Sequence, residues 1–181
     1  MRRVPIAVWF ILPTLVILVI GIWFFSKNST NTNDELKPAE VSKEVEGVQV
    51  FPIAGREHIS EATKSADYNS NPPTSGQHWS TPAKNGIYET ELPDERVVHN
   101  LEHGNIWISY KKEISADVLN KLKEIVNKDD WKMIMTPREV NDSKIVVAAW
   151  GRLLKMEEPD YVRIEEFIKT YRNRGPENTS E

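Results

Sequence analysis

Lys144-Ile145-Val146-Val147-Ala148-Ala149-Trp150 is the stretch on which the fold turns. After Lys144 it shows no alternation of polar and apolar residues. A strand with one face in water alternates, whereas a strand covered on both faces does not. The run predicts a central strand with packed layers above and below, and it puts Ala148 and Trp150 in the core. Upstream, Trp131 to Met135 reads as a second strand, halted by Pro137, which has no amide hydrogen for a ladder. Before that, Ser115 suits a helix cap and Ile114 staples onto Leu119. Val118, Leu119, Leu122, Ile125 and Val126 recur at helical spacing. Ile106, Trp107, Ile108 and Tyr110 form a strand ahead of this helix. Downstream, Pro159 opens a last helix with Tyr161, Ile164, Phe167, Ile168 and Tyr171 inward, and Gly175-Pro176 ends it. The order β-α-β-β-α gives an α+β class, a small mixed sheet with helices packed on it.

Ahead of this regular part lies Val98-His99-Asn100-Leu101-Glu102-His103-Gly104. Two of the chain's four histidines stand here, four residues apart. In a helix such residues share a face about 6 Å apart along the axis, and in a strand about 13 Å apart. Two imidazoles chelate one metal only in the first geometry or in a turn that imitates it. Asp94 suits a cap and Gly104 a terminator, so a helix over roughly 95–103 is expected, although Val97-Val98 also suits a strand. The other two histidines, His58 and His78, lie in a loop-rich segment spanning 47–93. There Val48, Val50 and Ile53 suggest one short strand. Pro72 and Pro73 impose extended geometry, and Thr74-Ser75-Gly76 reads as a turn. Tyr68, Trp79 and Tyr88 favour order in these loops.

The N-terminus has a different character. Residues 4–25 are almost wholly apolar and uncharged, and 22 residues at 1.5 Å span about 33 Å, enough for a bilayer core. Arg2 and Arg3 precede the run, so residues 1–3 are expected as a cytoplasmic tip. Residues 4–25 are then a single-pass membrane anchor, 26–46 a polar flexible linker, and 47–178 an extracytoplasmic domain. A cleaved signal peptide is the alternative, but no small-x-small pattern follows the run.

Composition sets further bounds. The 181-residue chain is 39% hydrophobic, enough for one packed domain plus an appendage. Its formal net charge is −4, and more negative once Arg2 and Arg3 are set aside, which argues against nucleic-acid binding. With no cysteine, neither disulfides nor thiolate sites can form. A transition-metal site must then use His with Asp, Glu or Met, which suits zinc or copper, and also iron or nickel. The element order is also that of the second half of a thioredoxin-like fold, but no thiol chemistry follows without cysteine.

The strings NPPTSGQHW, NGIYE, VHNLEHGNIWISY, AAWGRLL and YRNRGPE resemble the signatures of a family of membrane-anchored proteins catalogued as domain of unknown function 3105. The resemblance covers about residues 47–178. It implies an anchored, exported domain and no established activity. His78, His99, Glu102 and His103 fall on its motif positions, and His58 on a looser upstream one. Gln77 stands where the family often has proline.

Several chemistries compete for these residues. His78, His99 and His103 are expected to bind one divalent metal, zinc or copper, with His58 or Glu102 completing the set. Glu102 can instead orient an imidazole or act as a general base, which makes it the candidate catalytic residue if there is one. Tyr68, Pro72, Pro73, Ser75, Gly76, Trp79, Asn100 and Gly104 are the expected loop, turn and pocket residues. His99 to His103 also reads H-x-x-E-H, an inverted zinc-protease signature, but that class needs a long helix where Gly104 and a strand follow here. A metal-dependent hydrolase is therefore the less favoured reading. Ser75 lacks the setting of a nucleophile elbow and reads as a turn residue. Asp67 and Glu102 are a further candidate carboxylate pair. Met133, Met135 and Met156 offer sulfur to copper but suit the core better. The alternative to metal binding is a non-catalytic interaction module, with histidines bracing loops that face a protein partner at the cell surface.

Overall fold

The computed structural model describes residues 44–177 and residue 179. The expected tip, the membrane anchor at 4–25 and the linker through residue 43 lie outside the described residues. Among the described residues no helix is long and apolar enough to cross a membrane.

The domain is α+β. Its main sheet is built from β1 (Gln49–Val50), β4 (Gly86–Ile87), β5 (Ile106–Tyr110), β6 (Met133–Pro137), β7 (Ile145–Ala149) and β8 (Arg152–Met156). The spatial order is β1-β8-β7-β5-β6-β4. A separate parallel pair joins β2 (His58–Ile59) to β3 (His78–Trp79). Among the described residues three helices accompany them: α1 (Asp94–Glu102), α2 (Ala116–Lys128) and α3 (Tyr161–Tyr171). β5 and β6 run parallel, with α2 as their crossover, while β7 runs antiparallel to β5 and β8 antiparallel to β7.

The apolar run becomes β7, an inner strand, and its side chains alternate between two cores. Ile145, Val147 and Ala149 meet Leu122, Val126, Ile164, Phe167 and Tyr171 from α2 and α3. Val146, Ala148 and Trp150 meet Val97, Val98 and Leu101 from α1 on the opposite face. Both faces being covered explains why no polar residue interrupts the run. Ser115 caps α2 as expected, accepting from the Val118 amide at 3.3 Å.

The order expected from the sequence lacks one strand. After β7 the chain turns through Trp150 and Gly151, with Gly151 at φ +70°, and returns as β8. Arg152 and Lys155 mask that strand in the sequence. The Arg152 guanidinium lies 5.1 Å from the Tyr171 ring and pairs with Glu44, and Lys155 reaches Asp142 at 2.7 Å. The strand expected at 131–135 begins instead at Met133, and Trp131 lies outside it, 43% exposed. The last helix starts at Tyr161, where the Asp160 side chain accepts from the Arg163 amide. Only Gln49–Val50 of the expected early strand is formed, along the edge of β8.

Candidate metal centre

The four histidines meet on the α1 face of the sheet. α1 forms where it was expected, but Asp94 is not its cap. Its carboxylate takes a two-pronged ion pair from Arg138, at 2.9 and 2.7 Å. Arg138 also donates to Asn71 and Asn141, so this buried network ties the Asn71-Pro72-Pro73 loop to the start of α1. Gly104 follows the helix at φ +84°, its amide donating to the Leu101 carbonyl, and supplies the left-handed residue that ends it. His99 and His103 thus stand one turn apart, with Nε2 atoms 3.0 Å from each other.

The loop-rich segment brings the other two. In the β2–β3 pair His58 and His78 are direct partners, with ring centroids 4.9 Å apart. His78 is fully buried and stands edge-on to Trp150, at 6.5 Å between centroids. The expected turn residues build this arrangement. Ser75 is buried and its Oγ accepts from the Ala54 amide at 2.9 Å, a bracing role rather than a nucleophile's. Gly76 sits at φ +124°, where an added Cβ would lie 2.9 Å from the Tyr68 ring. The Tyr68 hydroxyl donates to the Gln77 carbonyl, Pro72 and Pro73 are buried, and the Asn100 amide pairs with both backbone groups of Ala83.

Two carbonyls then fix two imidazoles. His78 Nδ1 donates to Gly76 O at 2.7 Å, and His99 Nδ1 donates to Trp79 O at 2.6 Å. A carbonyl only accepts, so each Nδ1 carries a proton, and in its neutral form each ring points an Nε2 lone pair inward. This is how metal-ligating histidines are oriented. Burial, followed by the charges of His103, His78 and His58, pulls the His99 pKa down against the opposing effect of Trp79 O, which favours the neutral ligand form.

The Glu102 side chain is 1% exposed. Its Oε1 receives Arg56 Nε at 2.7 Å, while Oε2 lies 2.9 Å from His78 Nε2 and 4.0 Å from His58 Nε2. Neither Oε2 nor His78 Nε2 has a hydrogen-bond partner. Burial pushes the Glu102 carboxyl up, but a protonated His78 and Arg56, through hydrogen bonds and charge, outweigh it and bring the pKa down to about 2. The group is therefore a carboxylate, bound to Arg56, and Asp67 is not the partner that holds it.

Single donor atoms of His58, His78 and His99 all lie within 4.8 Å of one another, so this triad could hold a metal ion. A tetrahedral ion with bonds of about 2.0–2.1 Å needs donors about 3.3 Å apart, within reach of small side-chain rotations. The structure draws His58, rather than His103, into the group with His78 and His99. His103 joins His99 and Glu177 in a second group, with its Nε2 3.2 Å from Glu177 Oε2. Met133, Met135 and Met156 pack in the core on the α2–α3 side and offer nothing here.

Residues 58–181 match the family described as "Protein of unknown function (DUF3105)". The chain belongs to that family. Comparison with curated proteins and with solved structures returned no match. All four histidines, Glu102 and Glu177 lie inside the segment matched to DUF3105, and Arg56 falls just ahead of it. Arg56 and Glu177 are the site residues that the sequence reading missed. Glu177 belongs to the quoted string YRNRGPE, which drew attention to it but gave no spatial link to a histidine 74 positions earlier.

Proposed function

We propose that this DUF3105 chain is a membrane-tethered, extracytoplasmic domain that binds one divalent transition metal through His58, His78 and His99, with Glu102 as the oxygen donor. One observation carries the reading. His78 Nε2 and Glu102 Oε2 are buried, 2.9 Å apart and without hydrogen bonds. With the Nδ1 proton committed to Gly76, a neutral His78 leaves both atoms as acceptors, and two buried acceptors in contact repel unless a second proton on the ring or a metal cation lies between them. The donor set is three nitrogens and one oxygen without sulfur, which suits zinc or copper(II).

Tethering and export are supported by the uncharged run at 4–25 behind Arg2-Arg3. A hydrolytic role is less well supported. Glu102, held near pKa 2 beside Arg56, is a weak general base at neutral pH. The test is calorimetric titration of the full chain, purified in detergent without a histidine tag and stripped of metal, with zinc and with copper(II). One ion per chain is expected, and none for His99→Ala. Affinity should fall as the pH is lowered and protons compete for the ligand imidazoles, with His99 holding its neutral form to a lower pH than an ordinary histidine. Equal binding by parent and variant, or none by the parent, would leave the histidines as loop braces and favour an interaction module.

A further inference from the structure

We propose that His99, His103 and Glu177 form a second, outer coordination position for the same ion, which passes between the inner and outer positions by pivoting on His99. This rests on the reading above that the inner set binds metal. His99 is common to both positions. Its Nδ1 is committed to Trp79 O, so one lone pair remains, on Nε2. Two three-donor groups, His58/His78/His99 and His99/His103/Glu177, both draw on His99. One lone pair binds one ion at a time, so the groups are alternative positions and not a two-metal centre. His103 offers its Nε2 once that atom's proton has moved to Nδ1.

The two positions differ in access. On the inner side His78 and Glu102 are closed off and His58, 48% exposed, is the donor that meets solvent, whereas both donors special to the outer side, His103 and Glu177, are partly open, at 14% and 41%. The chain also goes to some length to bring Glu177 here. Asn173 N donates to Gly104 O at 2.7 Å and Glu177 N donates to Glu102 O at 3.1 Å. Gly175 is wedged so tightly against the end of α1 that a Cβ would fall 2.0 Å from Glu102 O. This strap sets a carboxylate against the negative end of a helix, an unfavourable place for an anion and a favourable one for a cation. Arg56 reaches one carboxylate of each position, Glu102 at 2.7 Å and Glu177 at 3.6 Å. It can therefore balance whichever carboxylate the ion has left. The arrangement suits exchange: a hydrated ion sheds water in steps, first on the outer donors and then on the buried ones.

The experiment loads the full chain with zinc and follows transfer to a chromophoric chelator, alongside equilibrium titration and a circular-dichroism check of folding. The parent should bind one ion even with zinc in excess. Glu177→Gln and His103→Ala should keep that stoichiometry and an affinity within a few-fold of the parent. Their transfer rates should fall about tenfold or more, on the scale of losses usual around a metal site. His78→Ala should retain a weak site that Glu177→Gln then removes. A second tight equivalent in the parent, loss of stoichiometric binding in Glu177→Gln, or unchanged transfer rates would each overturn the two-position scheme. A parent that binds no zinc would instead overturn the metal-binding reading beneath it.

Discussion

At the scale of single residues, protons decide the site. Gly76 O and Trp79 O each hold an Nδ1–H, so the tautomers of His78 and His99 are set by backbone that the turn residues position. Glu102 adds a pH signature to the metal-free protein. Its folded pKa, about 2, lies below the ordinary 4.5. A depressed carboxyl contributes stability that is present above the unfolded pKa and is lost as pH falls through the folded one. The parent should therefore lose stability between pH 4.5 and 2, and Glu102→Gln should show a flatter dependence there. Thermal melts of both proteins across that range, with chelator present, make the comparison. Parallel curves would mean that Arg56 and His78 do not hold this carboxylate in solution.

At the scale of elements, what could be read in the sequence followed periodicity, and what was missed depended on contacts distant along the chain. The apolar run 145–150, the α2 stripe and the α1 helix with its Gly104 terminator all carry local signals, and all formed. β8 was missed because Arg152 and Lys155 look like surface residues until Glu44, Tyr171 and Asp142 supply their partners. The His99–His103 pairing was legible from helical geometry, whereas the pairing of His58 with His78 depends on two-residue strands that leave no periodic trace. Three substitutions test these elements. Trp150→Ala removes a buried aromatic that closes the α1-side core and borders His78, and should cost about 3–5 kcal/mol. Val162→Ala, at a position 71% exposed, should cost far less. Similar losses in denaturant titrations would place Trp150 outside the core. Gly175→Ala should displace the strap, because the added Cβ meets backbone rather than a flexible side chain. The ring signals of His103, 3.2 Å from Glu177 in the parent, should then move in NMR spectra at fixed pH. Unchanged His103 ring shifts would mean that the strap does not hold Glu177 against it.

At the scale of the whole molecule, the proposed centre joins parts that the sheet alone does not unite. His58 and His78 come from the loop-rich segment, His99 and Glu102 from α1, and the strap follows α3. The orientation proposed for the chain puts all of these outside the cell, so protease added to spheroplasts should remove the domain. Protection until lysis would reverse that orientation. Metal should also act as a staple. An ion that binds only the folded chain stabilises it by about 2.7 kcal/mol at a concentration one hundred times Kd, and for a domain of this size that raises Tm by several degrees. The gain requires the loop segment and α1 to unfold together. Hydrogen exchange should therefore slow at the amides of His58 and His78 as well as along α1 when zinc is added. In His99→Ala, which removes the donor shared by both groups, neither the Tm shift nor the added protection should appear. Protection confined to α1 in the zinc-loaded parent would show that the ion is held by His99 and His103 alone, without the loop histidines.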